Sequence, residues 1–208
     1  MTGNRDPGLR ERKKRATREA LRTAALRLAL EHGPEQVRVD DIARAAGVSP
    51  RTYNNYFSSR EEAIVAAVLA DRDARVAGAV ASAPAGIGLA EAVIEAVVAQ
   101  YTDPPGHGRE FLRLLANSPH LRACYADAAS SLEEPLAEAI AARAPDAGGV
   151  RSRVLAAGVA AAVRVAVRAW ITPAAEGLVV ATGSLPDGLR AALAVLAPAL
   201  DAAERPPR

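Results

Sequence analysis

Alanine constrains this chain more than any other residue: it fills 50 of 208 positions, while Phe, Trp and Tyr together fill seven. Alanine has the highest intrinsic helix preference, and small alanine faces let helices approach closely. A core this short of rings must be assembled from many such approaches, so the expected fold class is all-α. Half of the residues are hydrophobic and 24% are charged, which supports a buried core with a wetted surface and excludes a disordered chain. A single cysteine, Cys124, excludes an internal disulfide framework and a multi-cysteine metal site. No apolar run reaches the ~18 residues that suggest a membrane span. The opening MTGNRDPGLRERKKR is basic but leads into no continuous apolar stretch, so no secretory signal is expected. The expectation is a cytoplasmic protein with no membrane partner.

Charge is distributed unevenly. Residues 1–60 hold 13 Lys and Arg against 7 Asp and Glu, a net of +6, whereas residues 61–208 hold 13 against 17, a net of −4. A basic head on a mildly acidic body attracts polyanions such as nucleic acid. On charge alone, a merely solvated face stands as an equal reading.

Periodicity and punctuation predict nine helices. Residues 1–9 read as a disordered arm: polar, broken by Gly and Pro, and without a period. Leu21, Ala24, Ala25 and Leu28 recur at spacings of three and four, predicting a helix from Arg10 to about His32, closed by Gly33-Pro34. Val39 to Ala46 forms a second, short helix. Gly47 ends it, Val48 points into the core, and Ser49-Pro50 caps a third helix over residues 50–57, with Tyr53 and Phe57 packing inward. Ser59-Arg60-Glu61-Glu62 is a capping box that opens a helix to about Ala83. Further helices are predicted over residues 89–101 and 109–117, then 119–144 with a bend at Pro135, then 150–171 and 185–203. Residues 172–183 are ambiguous. The domains expected are the arm at 1–9, a head at 10–60 and a helical body at 61–204.

Two short helices joined by a tight turn containing Gly, in VDDIARAAGVSPRTYNNYF at residues 39–57, are how a helix-turn-helix reads in sequence. The first helix braces the second, whose N-terminal turn can enter a major groove and present side chains to base edges. Residues 10–65 resemble the DNA-binding domain of TetR-type (tetracycline-repressor-like) transcriptional regulators. The resemblance rests on Leu-x-x-Ala-Ala-x-x-Leu at 21–28, Gly33, Asp41-Ile42-Ala43, Ala46-Gly47-Val48-Ser49, Thr52, and Tyr56-Phe57-Ser58-Ser59-Arg60-Glu61-Glu62. It covers about a quarter of the chain, in one ordered block. Three positions depart from the family pattern. Arg38 stands where a capping Thr is usual, Ala29 where Phe is common, and Asn54 where the recognition helix commonly has Tyr.

The resemblance implies a homodimeric, ligand-responsive regulator, a repressor that binds a pseudo-palindromic double-stranded DNA operator and is nucleoid-associated when bound. Dimerisation is implied through the last two helices, at 150–171 and 185–203, and an unidentified small molecule would shift the dimer away from the DNA-binding state. Arg38, Ser49, Pro50, Arg51, Thr52, Asn54, Asn55, Tyr56 and Arg60 are the expected DNA-binding residues. Arg51 and Asn54 are the base readers among them, and Tyr56 and Arg60 the phosphate contacts. Arg12, Lys13, Lys14 and Arg15 are read either as an arm reaching phosphate or minor groove or as a solubilising tail. Tyr101, Phe111, Tyr125, Arg164, Arg168 and Trp170 are candidates for a ligand pocket; plain core, a solvated stripe or a subunit interface are the competing readings. His32, His107 and His120 give no metal spacing. No catalytic triad order, phosphate loop or carboxylate pair stands out, so no enzyme, cofactor or metal is expected. The competing function is a helical small-molecule-binding protein or enzyme whose head has lost DNA binding.

Overall fold

The computed structural model describes residues 7–102, 108–128, 132–144, 148–171 and 184–204. Eleven α-helices and one 3-10 turn, with no strand, make up the described residues. They fall into two compact units, one formed by Met1–Val68 with Glu110–Tyr125, the other by Leu69–Arg109 with Ala126–Arg208.

The first unit begins with α1 (Pro7–His32), which Gly33 ends at φ +84°, and continues through the 3-10 turn Pro34–Gln36, α2 (Val39–Ala45) and α3 (Pro50–Tyr53) into α4 (Arg60–Ser82). It also holds most of α6 (Gly108–Asn117) and nearly all of α7 (Pro119–Asp127). Its core is built from Leu21, Ala25 and Ala29 of α1, Ile42 and Ala43 of α2, Tyr53, and Ala63 and Ile64 of α4, all fully buried. Ala29 and the Tyr53 ring are both fully buried in this core. Helix begins at Pro7, three residues before the predicted start at Arg10, and residues 1–6 of the expected arm lie outside the described residues. Proline suits a first helical position, and the Arg, Lys and Glu that follow propagate helix without an apolar face.

The second unit contains the rest of α4 together with α5 (Leu89–Thr102), α8 (Glu133–Arg143), α9 (Gly148–Ile171), α10 (Leu185–Ala194) and α11 (Ala197–Glu204). Helix α9 packs against α8 and α10, and Ala156, Val159 and Ala160 of α9, Leu136 and Ile140 of α8 and Leu189 and Leu193 of α10 are all fully buried. Carboxylates from the last helix satisfy the open end of α5. Glu204 accepts from the amide of Leu89 at 2.8 Å and Asp201 from that of Ala90 at 3.2 Å. Arg143 binds Glu204 at 3.0 Å and the carbonyls of Ala83 and Ile87, so one guanidinium ties α8 and α11 to the segment between α4 and α5.

Two of the predicted helices are each two helices here. The span expected over 119–144 is α7 and α8, and Pro135, expected at a bend, sits in the first turn of α8, where its missing N–H has no intrahelical acceptor to lose. The span expected over 185–203 breaks at Val195-Leu196, and Pro198 lies in the first turn of α11. The ambiguous residues 172–183 lie outside the described residues.

Candidate nucleic-acid interface

The turn between α2 and α3 is specified bond by bond. Gly47 has φ +70°, its amide donates to the Arg44 carbonyl at 3.1 Å, and the Val48 amide donates to the Ala43 carbonyl at 2.9 Å. This pair of bonds closes a helix through a left-handed residue, which glycine adopts without penalty. A Cβ at Gly47 would meet nothing within 4 Å, so the backbone dihedral alone selects glycine. Ser49 then caps α3 at once: its Oγ accepts from the Thr52 amide at 3.1 Å and lies 2.9 Å from the Thr52 hydroxyl. Arg38, at the cap of α2, makes no side-chain capping bond.

Regular α-helix runs only from Pro50 to Tyr53, shorter than the eight residues predicted, and the chain winds on to Phe57 by tighter bonds such as Tyr56 N–H to the Tyr53 carbonyl. Tyr53 and Phe57 turn inward as expected, both buried, with ring centroids 5.8 Å apart. The Tyr53 hydroxyl donates to the Ser59 carbonyl at 2.7 Å. Burial, then the negative charges of Glu62 and Glu61, push that phenol well above its usual range, so it stays a donor. Arg51, Asn54 and Asn55 are exposed, Thr52 and Tyr56 half-buried, and Val48 is only half-buried rather than inserted in the core. A short helix pinned from beneath by two rings thus presents one Arg and two Asn side chains outward.

All three nitrogens of the Arg60 guanidinium are engaged by protein acceptors. Its guanidinium donates to the carbonyls of Glu35 and Val37 at 3.0 and 2.9 Å, to the Glu35 carboxylate at 3.1 Å and to Glu61 at 2.7 Å. Turned toward protein on these four acceptors, Arg60 ties the start of α4 to the segment that leads into α2. Glu35 in turn accepts from the Ser118 hydroxyl at 3.0 Å. Burial opposes ionisation of Glu61. The bond from Arg60, one from a backbone amide, and the positive charges of Arg60 and His120 outweigh it and hold this carboxyl below the usual carboxylate range. The capping box at the start of α4 is also shifted. Ser59 Oγ accepts from the Glu62 amide, but Glu62 reaches back to Ser58, whose amide and hydroxyl both donate to it at 2.7 Å.

The residues proposed for a ligand pocket are divided between the units. Phe111 and Tyr125 pair in the first, with centroids 5.7 Å apart. Tyr101 lies in the second beneath the Arg72 guanidinium, 4.5 Å from its ring centre, and Arg72 and its bonding partner Asp73 are both buried. Arg164, Arg168 and Trp170 are exposed on α9. Sequence reasoning missed Arg72 and the Glu35–Arg60 link, whose partners lie far apart along the chain.

Comparison with known proteins decides the family. The model for "Bacterial regulatory proteins, tetR family" matches residues 21–67, and that for the "MftR C-terminal domain" matches residues 83–201. The chain belongs to the TetR family. A relative, the HTH-type transcriptional regulator TcmR of Streptomyces glaucescens, is 36% identical over 202 residues, covering 88% of this chain and 87% of its own. The HTH-type transcriptional regulator BetI of Rhizobium meliloti (strain 1021) is 43% identical over 51 residues, about a quarter of each chain. Among solved structures, the TetR family repressor AlkX from Dietzia sp. strain DQ12-45-1b aligns over 98% of this chain and 100% of its own at 20% identity and a TM-score of 0.48. This TetR-family chain is therefore a helix-turn-helix transcriptional regulator. No helix among its described residues is long and apolar enough to cross a membrane.

Proposed function

We propose that this regulator is a homodimeric, ligand-responsive repressor that acts on a pseudo-palindromic operator in the cytoplasm, on the nucleoid when bound. The observation that carries the reading is the outward face of α3. Arg51 on α3 and Asn54 at its C-terminal cap stand exposed, and the turn, the Ser49 cap and two buried rings leave the segment little freedom. Arg pairs with guanine O6 and N7, and Asn with adenine N6 and N7, in the major groove. Ser49, Pro50, Thr52, Asn55, Tyr56 and Arg38 surround these two readers and suit contacts to the backbone of the same half-site, while Arg60 supports them from behind. Nothing in the head favours the reading in which DNA binding has been lost.

An exposed stripe on α9 supports the dimer. Val154 and Val165, three turns apart on one face, are each 64% exposed, Val150 lies one turn before them, and Val195 beyond α10 is 77% exposed. Gly158 on the same face lets the Leu196 side chain approach to 3.5 Å of the place a Cβ would occupy. Soluble monomers rarely leave an apolar face of this length in water. Arg164, Arg168 and Trp170 border the stripe and fit its rim. Two copies joined there set their α3 segments into successive major grooves about 34–36 Å apart. For the effector, the helical body is the proposed host of a small molecule. Such a molecule shifts the regulator only by binding one of its states more tightly.

The test is a reporter driven by the promoter next to the gene. Deleting the gene should raise expression, the wild-type gene should restore repression, and an Asn54→Ala copy should not. Unchanged expression on deletion at every promoter in the neighbourhood contradicts the proposal.

A further inference from the structure

Helix α1 begins at Pro7, yet the family's head match begins at Leu21, which is also the first buried residue of the helix. Every described residue from Gly8 to Ala20 is exposed except the half-buried Thr17. This leaves about 20 Å of helix standing beyond the core of the head. It carries Arg10, Arg12, Lys13, Lys14, Arg15 and Arg18 against Glu11 and Glu19, and Glu19 is taken up by Arg22. The side chains of Arg10, Lys13, Lys14 and Arg15 have no hydrogen bond or ion pair among the described residues.

These cations do not stabilise their own helix. The N-terminal end of a helix favours negative charge, and like charges four residues apart repel. Arg10, Lys14 and Arg18 are such a series, so a polyanion on that face would relieve a cost the helix bears alone. The face is also the right one. Arg10, Lys14 and Arg18 continue, at helical spacing, the line of Leu21, Ala25 and Leu28, of which Leu21 and Ala25 are fully buried, on the helix that packs against α2. Arg18 fixes the direction, for its guanidinium carbon sits 5.4 Å over the ring of Phe57, at the end of the recognition segment. Lys14 and Arg10 lie one and two turns further out, roughly 6 and 12 Å beyond Arg18.

We propose that the Pro7–Arg18 extension is a second nucleic-acid surface, a cationic helix that lies along the duplex phosphates outside the bases faced by α3 and lengthens the footprint of each protomer. The proposal rests on the DNA-binding reading above. Its ligand is the phosphate backbone of flanking DNA, so its contribution is independent of the flanking sequence. At 3.4 Å per base pair, 20 Å of helix spans about six base pairs on each side.

The experiment measures binding of the full chain to two duplexes at several salt concentrations: the operator core alone, and the same core with about ten added base pairs of arbitrary sequence on each side, enough to cover that span. The wild type should bind the long duplex more tightly. An Arg10→Gln, Lys14→Gln double variant should lose roughly 10–100-fold on the long duplex, with its log–log salt slope shallower by about 3–4 units, as expected for four phosphate contacts per dimer. Binding to the short duplex should be unchanged, and Arg10→Lys with Lys14→Arg should keep the wild-type length dependence. Circular dichroism confirms that the Gln variant retains its helix. A Gln variant with the wild-type ratio of long to short affinity overturns the proposal and assigns the charge to another polyanion or to solubility. A wild type that binds neither duplex above scrambled DNA overturns the DNA-binding reading itself, and the proposal with it.

Discussion

Replacing Arg60 by alanine separates two roles that a cation beside a recognition helix can play. In the structure its guanidinium holds the carbonyls of Glu35 and Val37, at 3.0 and 2.9 Å, beneath the start of α2, and binds Glu61 at 2.7 Å. A hydrogen bond from a charged donor contributes about 1.5–3 kcal/mol, and of the two carbonyls left behind that of Val37 belongs to a buried residue while that of Glu35 stays open to water. The pair with the exposed Glu35 carboxylate adds little, as surface ion pairs do. The bonds share one side chain and do not add fully, so Arg60→Ala should cost about 2–4 kcal/mol. For a chain of this size that lowers the melting midpoint by roughly 5–15 °C. Arg60→Lys should rescue little, because one ammonium cannot reproduce the fork that spans two carbonyls and a carboxylate. Thermal unfolding followed by circular dichroism gives the first readout, and DNA titrations across a salt series give the second. The log–log salt slope of the folded variant should match that of the wild type. If the melting midpoint is unchanged and the slope becomes shallower by about one unit for each phosphate no longer neutralised, Arg60 is a phosphate anchor and the structural argument is wrong.

Arg51→Ala or Asn54→Ala should each cost about 1–3 kcal/mol on the operator and relax preference at one or two base positions, measured by competition with a panel of mutated duplexes. Equal losses on operator and random DNA would reassign them to the backbone. Val154→Asp should convert a dimer at micromolar concentration into a monomer of 21.6 kDa by sedimentation while leaving helix content intact; a dimer that survives moves the interface off α9. Because the Glu61 carboxyl lies below its unfolded value, its contribution to stability is complete above the unfolded carboxylate pKa and disappears as pH falls through the lowered one. The gap in melting midpoint between wild type and Glu61→Gln should therefore close on acidification from neutral pH to about pH 3. Parallel curves would count against the Arg60–Glu61 pair.

Local chemistry explains which parts of this architecture can be read from the sequence. Gly47, Ser49 and Pro50 encode a turn, a cap and a helix start within four residues, so the helix-turn-helix and the inward pair Tyr53 and Phe57 are legible in the chain itself. Helix breaks are harder to read. Pro135 and Pro198 each open a helix, and a proline that opens one looks in sequence like a proline that bends one. Only Pro7–Leu9 of α1 escape the predicted span, because those first residues carry no apolar period to report. The link from Arg60 to Glu35 joins residues 25 positions apart, and the cation over Tyr101 comes from another helix. Neither leaves a pattern along the chain.

The most direct test of the account is a titration of the purified protein against tiled fragments of the DNA beside its own gene, followed by footprinting and a stoichiometry measurement on any fragment retained. The account predicts one protected segment that contains an inverted repeat, with half-site centres about one helical turn or a small multiple of it apart. It predicts two protomers, or an even number, per segment, and affinity at least about a thousandfold above that for scrambled duplex at physiological salt. Binding that never exceeds scrambled DNA, or protection by a single protomer on a site without two-fold symmetry, would contradict it.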